Sequence, residues 1–277
     1  MSSPSLPPIT GIDTHAHVFS RALPLTNDRR YSPDYDALVT TYLANIERCG
    51  LSHGVLVQPS FLGTDNSFML DALQTNPARL RGIAVVEPSI REDELDELAQ
   101  AGVVGIRLNL IGRPLDDYAQ PHWQAFFKKL AQRSWQVEIQ RGMEDFDQIL
   151  PAILTSGVTV VIDHFGLPKG GIDRSDSHHR AFLALLKSEQ LWIKLSATYR
   201  SQSGFEQAQA MVSTLREACG GSDRFLWGSD WPHTRFEDVT NYAAQFEMIN
   251  ALLPDPLERK NVLVTNPAWL FQFEDTL

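Results

Sequence analysis

Cysteine is nearly absent. The 277 residues hold only Cys49 and Cys219, far apart and in no ligand-like spacing. That count argues against a disulfide framework and a cysteine-based zinc site, and a reducing cytoplasm is the expected setting. Basic charge is also short, with 24 Lys and Arg against 34 Asp and Glu and a net charge of −10 at pH 7. No basic stretch offsets it, which speaks against a nucleic-acid partner. Long apolar runs are missing, so no segment reads as membrane-spanning. Met1 to Pro8 has neither a basic start nor an apolar continuation, and no signal peptide is expected. No repeat, low-complexity tract or linker marks a second domain. What remains, 43% hydrophobic and 21% charged, suits a soluble globular chain with one large core.

Short apolar segments alternate with amphipathic ones along the whole chain. The expected strands are Ile12–Val18, Gly54–Gln58, Arg81–Val86, Val103–Leu108, Gln136–Gln140, Val158–Asp163, Leu191–Ser196 and Phe225–Ser229. Several are almost continuous in Val, Ile and Leu, as parallel strands covered on both faces should be. Helices are expected over Asp36–Cys49, Phe68–Gln74, Glu92–Ala101, His122–Arg133, Phe146–Leu154, Ser177–Lys187 and Phe205–Ala218. Leu95, Leu98 and Ala99 show the spacing of one helix face, and Gly50, Gly102, Gly157 and Gly220 sit where helices should stop. A doubly wound sheet would alternate too, but no Gly-rich phosphate-binding turn follows the first strand. The order is that of a single-domain (β/α)8 TIM barrel over residues 1–277, with 1–10 a loose N-terminal segment. The long irregular stretches all follow carboxyl ends of strands, the face on which barrels build their sites.

Ionisable groups stand where three apolar runs stop. His15 and His17 close the first strand on one side of it, about 7 Å apart. His164 ends the sixth strand and Asp230 the eighth, so all four converge on the barrel mouth. Such a set can ligate a metal, or polarise an oxygen while the carboxylate serves as a base. Taken singly, each has a structural alternative: paired strand-end histidines, a core histidine, a turn carboxylate.

The His15-Ala16-His17 pair, the His164-Phe165-Gly166 turn and Trp227-Gly228-Ser229-Asp230-Trp231-Pro232-His233 together resemble the amidohydrolase superfamily. The branch resembled contains 2-pyrone-4,6-dicarboxylate lactonase and related sugar and muconolactone lactonases. The likeness runs from about Ile12 to Asn266-Pro267. Binuclear members supply a bridging Lys or Glu on strand four and histidines on strands five and six. Here strand four offers Arg107 and Asn109, strand five ends in Gln140, and only strand six gives a histidine. The resemblance therefore implies hydrolysis of a lactone with no required metal. His15, His17 and His164 would polarise the carbonyl, while Asp230 takes a proton from water and returns it to the leaving oxygen. If one divalent ion (zinc) is bound, His15, His17, His164 and Asp230 are its expected ligands.

Arginines sharpen the expected substrate. Arg107 should point into the mouth, with Arg113 in the loop beyond it and Arg200 after strand seven. Guanidinium groups aimed at the active face of an acidic protein suit a small carboxylated ligand. By motif position Arg107, Arg113 and Arg200 resemble the lactonase's carboxylate-binding arginines, and Tyr31 its tyrosine. Arg107 can instead neutralise Asp13 or Asp163, and Arg113 and Arg200 can be ordinary loop residues. Gln58 and Gln140, closing strands two and five, are further substrate-binding candidates, although Gln58 can equally brace its loop. Lys194 is expected low in the barrel in an ion pair with Asp163 or Asp13. His233 should orient Asp230, while His53, His122, His178 and His179 read as solvent-facing. Rival readings are a metal-dependent decarboxylase of the same superfamily and a barrel that binds a small acid without turning it over. Monomer and homodimer stay open.

Overall fold

The computed structural model describes residues 8–273. Its strands are β1 (Ile12–Ala16), β2 (His53–Val57), β3 (Leu80–Ala84), β4 (Val103–Asn109), β5 (Gln136–Gln140), β6 (Thr159–Ile162), β7 (Leu191–Leu195) and β8 (Phe225–Trp227). They form one sheet in chain order, parallel at every pairing. Between them run α1 (Val39–Arg48), α2 (Ser67–Thr75), α3 (Glu92–Gln100), α4 (Pro121–Gln132), α5 (Phe146–Leu154), α6 (Ser177–Leu185) and α7 (Phe205–Cys219). The tail adds α8 (Tyr242–Leu252), α9 (Pro256–Lys260) and α10 (Asn266–Leu270). This is the expected single-domain (β/α)8 barrel. Among the described residues no helix is long and apolar enough to cross a membrane.

The strands have two apolar environments. Their outer faces pack on the helices in one continuous core. Inside the barrel Ile12, Val55, Val57, Ile83, Val104, Val161, Trp192 and Leu226 form a second cluster with Ala268, Leu270, Phe271 and Phe273. The segment from α10 onward thus plugs the floor. Burying Phe271 completely is worth about 1.5–3 kcal/mol. His53 belongs to this region: it heads β2, is 2% exposed, and its ring meets Phe273 edge-on. The expected solvent-facing position is therefore wrong for His53, because it opens a strand instead of flanking a helix.

The barrel closes through residues beyond the regular part of β8. Asp230 N–H donates to the His15 carbonyl at 2.8 Å, and His17 N–H to the Trp231 carbonyl at 2.8 Å. Only glycine fits at 228, since a Cβ there would lie 2.4 Å from that of His15. Asp13 braces the joint by accepting from Ser229 N at 2.8 Å, Ser229 Oγ at 2.6 Å and Tyr242 Oη at 3.1 Å. It faces α8, so it partners neither Arg107 nor Lys194. The register of β1 shifts between Asp13 and Ala16. That irregularity lets Ile12 reach the floor while His15 also points inward.

β1, β6 and β8 end one or two residues earlier than the apolar runs. The chain turns there to aim side chains at the mouth, with left-handed φ of 54° at His164 and 59° at Asp230. Of the segment expected to be loose, residues 1–7 lie outside the described residues. Thr10 is held, donating to Ser52 Oγ at 2.9 Å through its N–H and to the Gly50 carbonyl at 2.8 Å through its hydroxyl.

Candidate active site

Above the floor the inward positions change from apolar to ionised within two residues. On the sixth segment Val161 is followed by Asp163; on β7 Trp192 is followed by Lys194 and Ser196; β5 contributes Glu138. Lys194 Nζ stands 2.6 Å from Glu138 Oε1 and 3.5 Å from Asp163 Oδ1. Arg107 reaches Asp163 Oδ2 through Nη2 at 3.1 Å and Nε at 3.2 Å, and donates to Gln140 Oε1 at 2.9 Å. Burial opposes ionisation of Asp163, but His15, Lys194 and Arg107 hold it well below the usual carboxylate range. Burial pushes Glu138 up to about 7 against the pull of Lys194. The sequence expectation for Lys194 and the alternative for Arg107 both name Asp163 correctly.

The three imidazoles stand on this layer. His15 Nε2, His17 Nε2 and His164 Nε2 lie 3.9, 3.7 and 3.9 Å from a single atom, Asp230 Oδ1. Asp230 Oδ1, His15 Nε2 and His164 Nε2 are buried with no hydrogen-bond partner among the described residues. The other ring nitrogens are engaged. His17 Nδ1 meets the Val57 carbonyl at 2.7 Å, which fixes the proton on Nδ1 and leaves a lone pair on Nε2. His15 Nδ1 lies 3.1 Å from Lys194 Nζ and 3.3 Å from Asp163 Oδ1; when the ammonium donates to that nitrogen, the ring proton is on Nε2. His164 Nδ1 is 2.8 Å from Ser196 Oγ. Burial lowers all three pKa values, that of His164 to about 4, so the rings are neutral at pH 7.

Asp230 is held as an anion. Its Oδ2 accepts from Arg200 Nε at 2.6 Å and Tyr199 Oη at 2.5 Å. Burial alone would raise its pKa, but Arg200 and the imidazoles keep it well below the usual range. Tyr199 Oη is also 3.2 Å from His233 Nδ1, and His233 N–H donates to the Asp230 carbonyl at 2.7 Å. His233 thus braces Asp230 as expected. Ala197, Asp230, His233 and Arg235 all have left-handed φ, a costly choice for residues bearing a Cβ and one typical of functional sites.

The orphaned atoms also fit one divalent ion by position. Their mutual spacing and the neutral imidazole-plus-carboxylate chemistry match a mononuclear donor set, with His15, His17 and Asp230 one such group. A second group, His15, Asp163 and His164, overlaps the first through His15.

His17, Arg107, Gln140, Arg200, Asp230 and Tyr31 line one cleft, open to solvent. Tyr31 Oη donates to Glu237 at 2.7 Å, so it enters the cleft already engaged. Arg113 does not reach this cleft. It lines an adjoining open groove and pairs with Asp28. Gln58 turns away as well: its Nε2 donates to the carbonyls of Gly63 at 3.1 Å and Asp65 at 2.7 Å, the loop-bracing alternative. Glu138, Tyr199, Arg30 and Arg235 were missed. Period-two alternation with Gln136 and Gln140 was a usable signal for Glu138. Tyr199 stood beside Arg200, while Arg30 and Arg235 sit in loops with no local pattern.

A family model described as amidohydrolase matches residues 12–273. Among curated relatives, the 2-pyrone-4,6-dicarboxylate hydrolase of Comamonas testosteroni is 29% identical over 293 residues, covering 99% of this chain and 95% of that protein. A 4-sulfomuconolactone hydrolase of Rhizobium radiobacter is 30% identical over 271 residues, covering 94% and 89%. Among solved structures, a probable 2-pyrone-4,6-dicarboxylic acid hydrolase from Acinetobacter baumannii, with citric acid bound, gives a TM-score of 0.91 at 39% identity. That match covers 96% of this chain and all of the other.

Proposed function

Because the chain belongs to the amidohydrolase family, we propose that its barrel mouth hydrolyses a carboxylated lactone, with 2-pyrone-4,6-dicarboxylate the leading substrate. The observation that carries this reading is the meeting of three imidazole Nε2 atoms and one anionic carboxylate oxygen in a cleft lined by arginines. The relatives that act on pyrone and muconolactone rings support it.

Two acceptors, Asp230 Oδ1 and the His17 Nε2 lone pair, lie 3.7 Å apart and can hold the two protons of one water, leaving its oxygen free to attack. Asp230 takes one proton as the new carbon–oxygen bond forms at the lactone carbonyl. The N–H of His15 stabilises the developing oxyanion, joined by His164 when Ser196 donates to its Nδ1. His17 stands apart from that role because its only proton is spent on Val57. The ring carbon–oxygen bond then breaks, and Asp230 returns the proton to the leaving oxygen. Arg107, Arg200, Gln140 and Tyr31 hold the substrate from the cleft wall.

A divalent ion held by His15, His17, His164 and Asp230 would polarise the same carbonyl as a Lewis acid. Charge supports the metal-independent reading. The buried carboxylates Asp163 and Asp230 already face Arg107 and Arg200, with Lys194 beside Glu138. The test is ring opening of 2-pyrone-4,6-dicarboxylate by purified protein, before and after chelation. Turnover that survives stoichiometric metal removal is expected. Release of carbon dioxide from an aromatic acid, lost on chelation, would establish the decarboxylase instead.

A further inference from the structure

The arginines expected to read the substrate are already spoken for. Arg107 is paired with Asp163, Arg200 with Asp230 and Arg113 with Asp28. Two other guanidinium groups line the same cleft, Arg30 from the loop after β1 and Arg235 from the turn after β8. Arg30 makes one contact across the cleft, Nη2 to the neutral Asn109 Oδ1 at 3.1 Å. Neither has an ion-pair partner among the described residues. Glu237, two residues from Arg235 in the chain, is turned to Tyr31 and Tyr35, whose hydroxyls both donate to its Oε1 at 2.7 Å. Arg30 is surrounded by like charge, since burial together with Arg107, Arg235, Arg200 and Arg113 depresses its pKa.

We propose that Arg30 and Arg235 are the charge-reading pair of the cleft, two uncompensated cations that select a ligand carrying two carboxylates. The deeper arginines contribute hydrogen bonds and geometry, but their charge is cancelled by protein acids. The rim pair supplies the net charge that a dianion needs and a monoanion does not. This deepens the lactonase reading and rests on it.

The experiment compares 2-pyrone-4,6-dicarboxylate with a pyrone bearing one carboxylate, in wild type, Arg30→Gln, Arg235→Gln and the two Lys variants. Each Gln variant should lower the dicarboxylate-to-monocarboxylate ratio of kcat/KM by about tenfold, chiefly through KM, and Lys should restore most of it. Citrate, as a non-reacting polyanion, should bind about tenfold more weakly to each Gln variant by calorimetry. A ratio that stays within about twofold in both Gln variants, or equal losses on the two pyrones, overturns the proposal. If wild type opens neither pyrone, the lactonase reading falls. The citrate titration then still decides the pair, and unchanged affinity in both Gln variants would refute it.

Discussion

In the floor of the barrel Val161, Trp192 and Leu226 pack against Leu270 and Phe271 through apolar contacts. Two residues further along the same strands, Asp163 and Lys194 stand in a layer of ion pairs with Arg107 and Glu138. The floor is held by non-directional burial and tolerates a change of shape at the cost of volume. The ionised layer is held by pairing, and losing one member strands the others in a medium that solvates them poorly. The three imidazoles and Asp230 sit on the second kind of support, which fixes ring tautomers and charge in a way that apolar packing cannot.

Breaking that contrast from the ionised side should have the largest effect. Lys194→Met leaves Glu138 and Asp163 short of a cation and removes the donor at His15 Nδ1. Stability should fall by about 3–5 kcal/mol in denaturant titration. A near-wild-type midpoint would show that the layer is not held by pairing. From the floor side, Phe271→Ala should cost about 3 kcal/mol of stability while the folded fraction keeps its kcat. Altered kcat in that variant would mean that the two regions are coupled.

Acid gives a gentler test, because it reaches both regions. Burial lowers His53 at the floor and His164 and His233 at the mouth to about 4 from 6.5. Between those values the unfolded chain binds protons at these histidines that the folded chain refuses; Glu138, raised to about 7, works the other way but is outnumbered, so stability falls as pH drops from 6.5 toward 4. The melting temperature should decline steadily over that range. His53→Asn should remove part of the slope without moving the pH–activity profile, whereas a flat melting temperature from pH 7 to 5 would contradict the buried neutral assignment.

The contrast also explains what the sequence disclosed. Alternation of apolar and amphipathic segments is imposed by strands covered on both sides, so barrel order and β5 were legible residue for residue. His15, His17, His164 and Asp230 were legible because each interrupts an apolar run at a strand's carboxyl end. The orientation of Asp13 was not, since a register shift in β1 leaves no mark in the residue types. Nor was the burial of His53, which follows from a C-terminal plug far away in the chain. Loop residues such as Arg30, Arg235 and Gln58 obey no periodicity. Their roles depend on where the loop folds back, and Gln58 bracing two carbonyls looks the same in sequence as Gln58 binding a ligand.

The central claim is that Asp230, kept ionised beside three neutral imidazoles, moves the proton of the attacking water. Asp230→Asn keeps the shape and the hydrogen bond from Tyr199 but removes the basic oxygen. With 2-pyrone-4,6-dicarboxylate at saturation, kcat should fall by about 10²–10⁴-fold, the usual worth of a positioned base, with the fold intact by melting temperature. A variant that opens the ring at close to the wild-type rate would contradict the account.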